Sequence, residues 1–290
     1  MNCITVHCVV GLLFGEAVIH IFIISIVECT VFLSVQCVQQ NDSLSMVMYR
    51  GVIPEGAVNG LFSVSQSKSI FFSKGNLQFQ ASTGIWRFAD HQYDIMRDRN
   101  WMFSSNNSNF IDLFACGTGD NPIRFFNYRE FVDWGNNRVT NGGSRRRLWR
   151  TLSWEEWKYL LYERSTVAGM RFAKAEVCGV KGVVLFPDDW KNDVFGFNHV
   201  NNPQSSFHEN VIPETQWIVL EQSGVVFLPC AGYRGGNSYC GFGSFGGYWS
   251  PFHYRSKRAY ALCFNNLNLD IKISRYLGLS VRLVYAKDYV

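Results

Sequence analysis

Apolar positions crowd the start of the chain and then break into shorter periodic runs. From Val9 to Val38 ("VVGLLFGEAVIHIFIISIVECTVFLSVQCV") most positions are hydrophobic, and Glu16, His20 and Glu28 are the ionisable interruptions. The run has the hydropathy of a signal or a membrane anchor. Ionisable groups are costly near a bilayer centre, however, and the basic flank and small-residue cleavage site of a signal peptide are missing. Residues 1–50 therefore read either as an apolar, signal-anchor-like leader and the route to any membrane attachment, or as a mis-assigned start or decayed leader. Residues 51–60, "GVIPEGAVNG", have the composition of a linker, and 61–290 read as the folded domain.

From Leu61 the pattern shortens to a period of two. "LFSVSQSKSIFFSKGNLQFQ" predicts two strands and "GIWRFAD" a third. Residues 100–147 are rich in Asn, Gly, Ser and Arg, a loop composition with little periodicity. "TLSWEEWKYLLYERS" predicts a helix: Ser153 caps it, Glu156 reaches back, and Trp154, Trp157, Leu160 and Leu161 share one face. "IPETQWIVLEQSG" predicts a shorter one, with Pro213 in its first turn and Gly224 ending it. "GVVLFPDDW" and "GVVFLPCAGY" are unbroken apolar runs of the kind that strands buried on both faces show. "RAYALCF", "DIKIS" and "LSVRLVY" close the chain as strand-like pieces. The pattern predicts an α+β fold, two helices packed on mostly antiparallel strands with long loops.

Charge adds one asymmetry. All 27 Lys and Arg residues lie from Arg50 onward, whereas Glu16, Glu28 and Asp42 precede it. The net charge of +4 is too small to argue for nucleic acid, and "RRRLWR" (Arg145–Arg150) reads as a solvated loop. The nine cysteines form neither a paired metal-ligand spacing nor an even framework, and read as buried thiols. Asp188, Asp189, Asn192 and Asp193 supply oxygens, but adjacent acids after a proline more often start a turn, so neither calcium nor another cofactor is expected.

Several pieces in order, "FSKGNLQFQASTGIWRFADHQYD", "IDLFACGTG", "LWRTLSWEEWKYLLYER", "AKAEVCGVKGVVLFPDDW", "VVFLPCAGYR", "GGYWS" and "GLSVRLV", resemble the Fibrobacter major paralogous domain family of bacterial cell-envelope proteins. The resemblance runs from about Leu61 to Tyr285. It implies a C-type lectin-like fold, an exported or envelope-bound location, and a C-terminal face that binds a ligand. The chain departs from the family in its leader and in a shorter loop between Cys116 and Arg147.

"GGYWSPFHYRSKRAY" (Gly246–Tyr260) is dense in rings and bases. Trp249 reads as a core ring at a strand start. Pro251 interrupts a ladder, so Phe252, His253, Tyr254 and Arg255 are expected in a loop, partly at the surface. Tyr, Phe and Arg are enriched in binding surfaces. Asn265, Asn266 and Asn268 read as a turn. The resemblance implies that this turn lies beside Phe252–Arg255, so that Asn266, Asn268, Arg275 and Tyr276 complete a mixed face. Such a face suits a glycan or a surface protein in a non-catalytic adhesion module. Two other classes stay open: a cysteine-dependent modifying enzyme using Cys240 or Cys263, and a purely structural surface protein.

Overall fold

The computed structural model describes residues 52–101, 104–122, 131–236, 238–254, 257–264 and 272–286. The leader, residues 1–50, lies outside them. Residues 52–60, of linker composition, bury Val58 and bridge Ala57 to Ser73.

The two echoing apolar runs become strands that pair with each other. Val180–Leu185 and Val226–Pro229 run antiparallel, with Val226 opposite Leu185 and Pro229 opposite Gly182. Phe172–Val177 pairs along the other edge of Val180–Leu185, and Val211–Ile212 adds a parallel edge beyond it. Side chains alternate between the two faces of a strand. Here Phe172, Val183, Leu185, Val226 and Leu228 enter one core, while Ala173, Ala175, Val184 and Phe227 enter another. Burial on both faces is why these strands read as unbroken apolar runs. The backbones also approach closely: a Cβ on Gly182 would stand 2.4 Å from the Leu228 carbonyl oxygen.

Both predicted helices form, and both are short. α1 (Trp154–Lys158) starts at the expected capping box: Ser153 Oγ accepts from the Glu156 N–H at 3.2 Å, and the Glu156 carboxylate accepts from the Ser153 N–H at 2.8 Å. Beyond Lys158 the helix widens into one π turn, Tyr159–Glu163, closed by the Arg164 N–H on the Tyr159 carbonyl at 2.9 Å. Trp157, Leu160 and Leu161 thereby reach the first core. α2 (Glu214–Gln222) covers the second core with Trp217 and Leu220, the Trp217 ring lying 5.7 Å from that of Phe227.

The expected α+β, C-type lectin-like fold is overturned. Strand makes up 34% of the described residues and helix 14%, and the sheets are open. Among the described residues those sheets contain two to four strands each. The architecture is predominantly β, with two short helices as covers. A capping box and an early proline mark where a helix begins; its length is set by the surface it covers, and short helices draw most of their stability from that packing. The described residues between 100 and 147 also hold more order than their composition indicates. Phe110–Ile111 and Phe114–Ala115 are strands, and Trp134 and Trp149 fill a third core with Leu77, Phe88 and Trp249.

Four arginines are buried among the described residues, and two of them, Arg164 and Arg282, cross-link the frame through side-chain hydrogen bonds. Arg164 donates to Asp188 Oδ1 at 2.6 Å and to the Phe186 carbonyl at 2.7 Å, while Asp188 Oδ2 accepts from the Ser63 N–H and hydroxyl at 2.7 and 2.6 Å. Arg282 bonds Gln92 Oε1, the Phe227 carbonyl and Asn76 Oδ1, and Gln92 in turn donates to Glu221 at 2.9 Å. No carboxylate touches Arg282 among the described residues, and burial lowers its pKa to about 10.

Candidate functional site

The ring-rich stretch forms strand Gly246–Tyr254, which pairs antiparallel with Arg258–Phe264; Lys272–Ser274 pairs along the far edge of the latter. Near the glycines the strand is core. Trp249 is 1% exposed and its Nε1–H donates to the Phe114 carbonyl at 2.7 Å. The Tyr248 hydroxyl donates to the Pro229 carbonyl and accepts from Asn76, both at 3.2 Å.

Pro251 does not end the strand. Trp249 faces Ala261 and His253 faces Ala259, so Ser250–Phe252 together stand opposite Tyr260. This bulge takes the residue without an N–H out of the ladder. Phe252, His253 and Tyr254 are thus strand residues, where a loop was expected; the description of these three stops at the backbone. Arg255, Asn266 and Asn268 lie outside the described residues.

The register fixes what shares one end of this sheet. Tyr254 faces Arg258, and Arg258 faces Ser274 on its other side. Tyr254 and Ser274 are therefore two strand spacings apart, about 10 Å. The Arg275 N–H donates to the Lys257 carbonyl at 3.0 Å, which ties the segment after Ser274 to the hairpin turn. Tyr276 follows at 45% exposure. Phe264, where the chain leaves toward Asn266 and Asn268, faces Gly246 at the opposite end of the pair. Arg275 does not belong to an open face. It is 2% exposed, and its carbonyl accepts from the Cys116 N–H at 2.9 Å, so the chain here is clamped between the hairpin turn and strand Phe114–Ala115.

Three of the five described cysteines are buried and offer little chemistry. Burial pushes the Cys116, Cys230 and Cys263 thiols up to about 12, where the nucleophilic thiolate is scarce at neutral pH. Cys263 lies opposite Gly247, whereas Cys240 lies opposite Tyr233 in a different sheet. Among the described residues no three His, Cys, Asp or Glu side chains gather into a metal-holding group. Asp188 is committed to Arg164 and Ser63. His208 pairs with Glu176 at 3.1 Å, and His199 stands 3.7 Å from Glu209. Arg145–Arg147 are exposed.

Sequence reasoning missed two features around the 3-10 turn Arg97–Trp101. Asp112 is fully buried, accepting from Asn100 Nδ2 at 2.8 Å and from the Met96 N–H at 3.0 Å, and burial raises its pKa to about 6. A lone acid in "FIDLFACG" carries no sequence signal for this. The second is a stacked pair. The Arg97 guanidinium lies 4.4 Å from the centroid of Phe242, a 43% exposed ring between Gly241 and Gly243. An aromatic residue flanked by glycines, "GFG", was the available hint.

No family model, curated protein or solved structure matches the chain.

Proposed function

We propose that residues 52–290 form a non-catalytic recognition module of the bacterial cell envelope that contacts a glycan or a surface protein. The contact face lies at the hairpin end of strands Gly246–Tyr254 and Arg258–Phe264. One observation carries this reading: the register sets Tyr254 and Arg258 beside Ser274, and the exposed Tyr276 continues from the same edge. Exposed tyrosine and arginine give rigid, amphipathic contact area at low entropic cost. Burial of Cys263, which pushes its thiol up to about 12, weighs against the cysteine-enzyme alternative at that residue. The envelope location rests on the family resemblance and the apolar leader.

The test is capture on an array of glycans and surface proteins, using the full chain and the variants Tyr254→Ala and Tyr276→Ala. The expected result is capture by the parent that drops in both variants, with thermal midpoints within about 2 °C of the parent, as for surface substitutions. Capture that survives both substitutions overturns the proposal.

A further inference from the structure

Arginine stacked on a ring recurs in this domain, and the surroundings of each guanidinium differ. Arg87 lies 3.9 Å from the Phe110 ring centroid and also bonds Gln78 at 2.9 Å and Asp90 at 3.3 Å. Arg164 lies 5.3 Å from the Phe62 centroid and holds Asp188 at 2.6 Å. Arg97 lies 4.4 Å from the Phe242 centroid, and among the described residues no carboxylate or carbonyl pairs with its guanidinium. The other two stacked guanidinium groups each have an acid beside them; among the described residues Arg97 has none.

The pair is held in place. Arg97 sits at φ 47, a left-handed conformation that strains a residue bearing a side chain. Its carbonyl is tied by Asn100 Nδ2 at 2.9 Å, and Asn100 is tied to the buried Asp112. Gly241 and Gly243, at φ 71 and 70, form the turn that carries the Phe242 ring outward. The Tyr239 ring stands 6.4 Å from Phe242 at 39°, an angled second wall anchored by its hydroxyl on the Ala231 carbonyl at 2.6 Å.

We propose that Arg97, Phe242 and Tyr239 form a binding site for a uronic acid residue of an acidic polysaccharide. The planar guanidinium matches a carboxylate in bidentate fashion. The exposed ring offers an apolar surface to the C–H face of a pyranose. A free phosphate would engage the fork and leave the ring idle. A polyglutamate chain presents no rigid apolar face to Phe242. The basic excess from Arg50 onward attracts a polyanion at longer range. Phe242 precedes the Gly246 end of a nine-residue strand whose other end is Tyr254, a separation of about 25 Å by strand rise. This second site therefore stands apart from the Tyr254–Tyr276 face.

Affinity electrophoresis of the full chain tests it, with gels containing polygalacturonate, its methyl ester or polyglutamate. Polygalacturonate is expected to retard the protein strongly and the methyl ester weakly. Arg97→Gln and Phe242→Ala are each expected to weaken retardation about tenfold with the thermal midpoint unchanged. Arg97→Gly relieves the left-handed strain, so a stable variant that no longer binds separates recognition from folding. Tyr276→Ala is expected to leave retardation intact, which distinguishes this site from the face proposed above. The proposal is overturned if the parent is not retarded or if Arg97→Gln is retarded as strongly as the parent. It is equally overturned if polyglutamate acts as well and Phe242→Ala makes no difference.

Discussion

Replacing Asp112 by asparagine isolates one buried charge and changes the pH dependence of stability in a calculable way. The Asp112 carboxyl is fully buried, its partners are the Asn100 amide and the Met96 N–H, and the nearby Asp94 adds further repulsion. Its pKa is raised from 3.8 to about 6, because desolvation penalises the anion more than two hydrogen bonds compensate. A carboxyl with a raised folded-state pKa binds protons more tightly in the folded state. Its contribution to stability is complete below the unfolded value and is lost as pH rises through about 6. Integrated from about pH 4 to about pH 7.5, that loss is about 2 kcal/mol. In Asp112→Asn the loss disappears, although one of the two donors, Asn100 Nδ2 or the Met96 N–H, then faces an NH2 group at a cost of about 1–3 kcal/mol. The variant should therefore be clearly weaker than the parent at the acidic end and close to it at the neutral end. Urea unfolding of both proteins across this range measures the difference directly. A difference that stays constant with pH to within about 0.5 kcal/mol would show that Asp112 titrates normally, and would refute the reasoning.

Two further predictions concern the interior. Arg282→Met strands the Asn76 side-chain oxygen and the Phe227 carbonyl that face the guanidinium, leaves Gln92 Oε1 with the Phe227 N–H alone, and is expected to cost about 2 kcal/mol in urea unfolding; an unchanged midpoint would mean that the network contributes nothing. Cys116, Cys230 and Cys263 are expected to resist a thiol reagent at neutral pH in the native protein and to react once it is unfolded, as peptide mapping by mass spectrometry will show; rapid native labelling of Cys263 would revive the cysteine-enzyme reading.

What the sequence disclosed was what depends on near neighbours. The Ser153–Glu156 box needs only four residues, and it forms as expected. The runs around Val183 and Phe227 advertised burial on both faces, and Trp249 advertised a core ring. The features set by distant partners were illegible. Arg275 looks like a surface arginine in "ISRYLG", yet its fate is decided by Lys257 and Cys116. Pro251 looks like a strand breaker, but the partner strand tolerates it by opening a bulge opposite Tyr260. The fold class failed for the same reason: helix starts are written locally, whereas the dominance of strands comes from pairings such as Phe79 with Ile111 and Leu279 with Phe114.

The sheet shared by two cores has a consequence for how the domain exchanges with water. Gly182–Leu185 is buried, and strands pair along both of its edges. Deuterium cannot reach those amides through fraying at a margin, because the strand has no open margin. Their uptake waits for the whole domain to open, which makes this strand an internal clock for global unfolding.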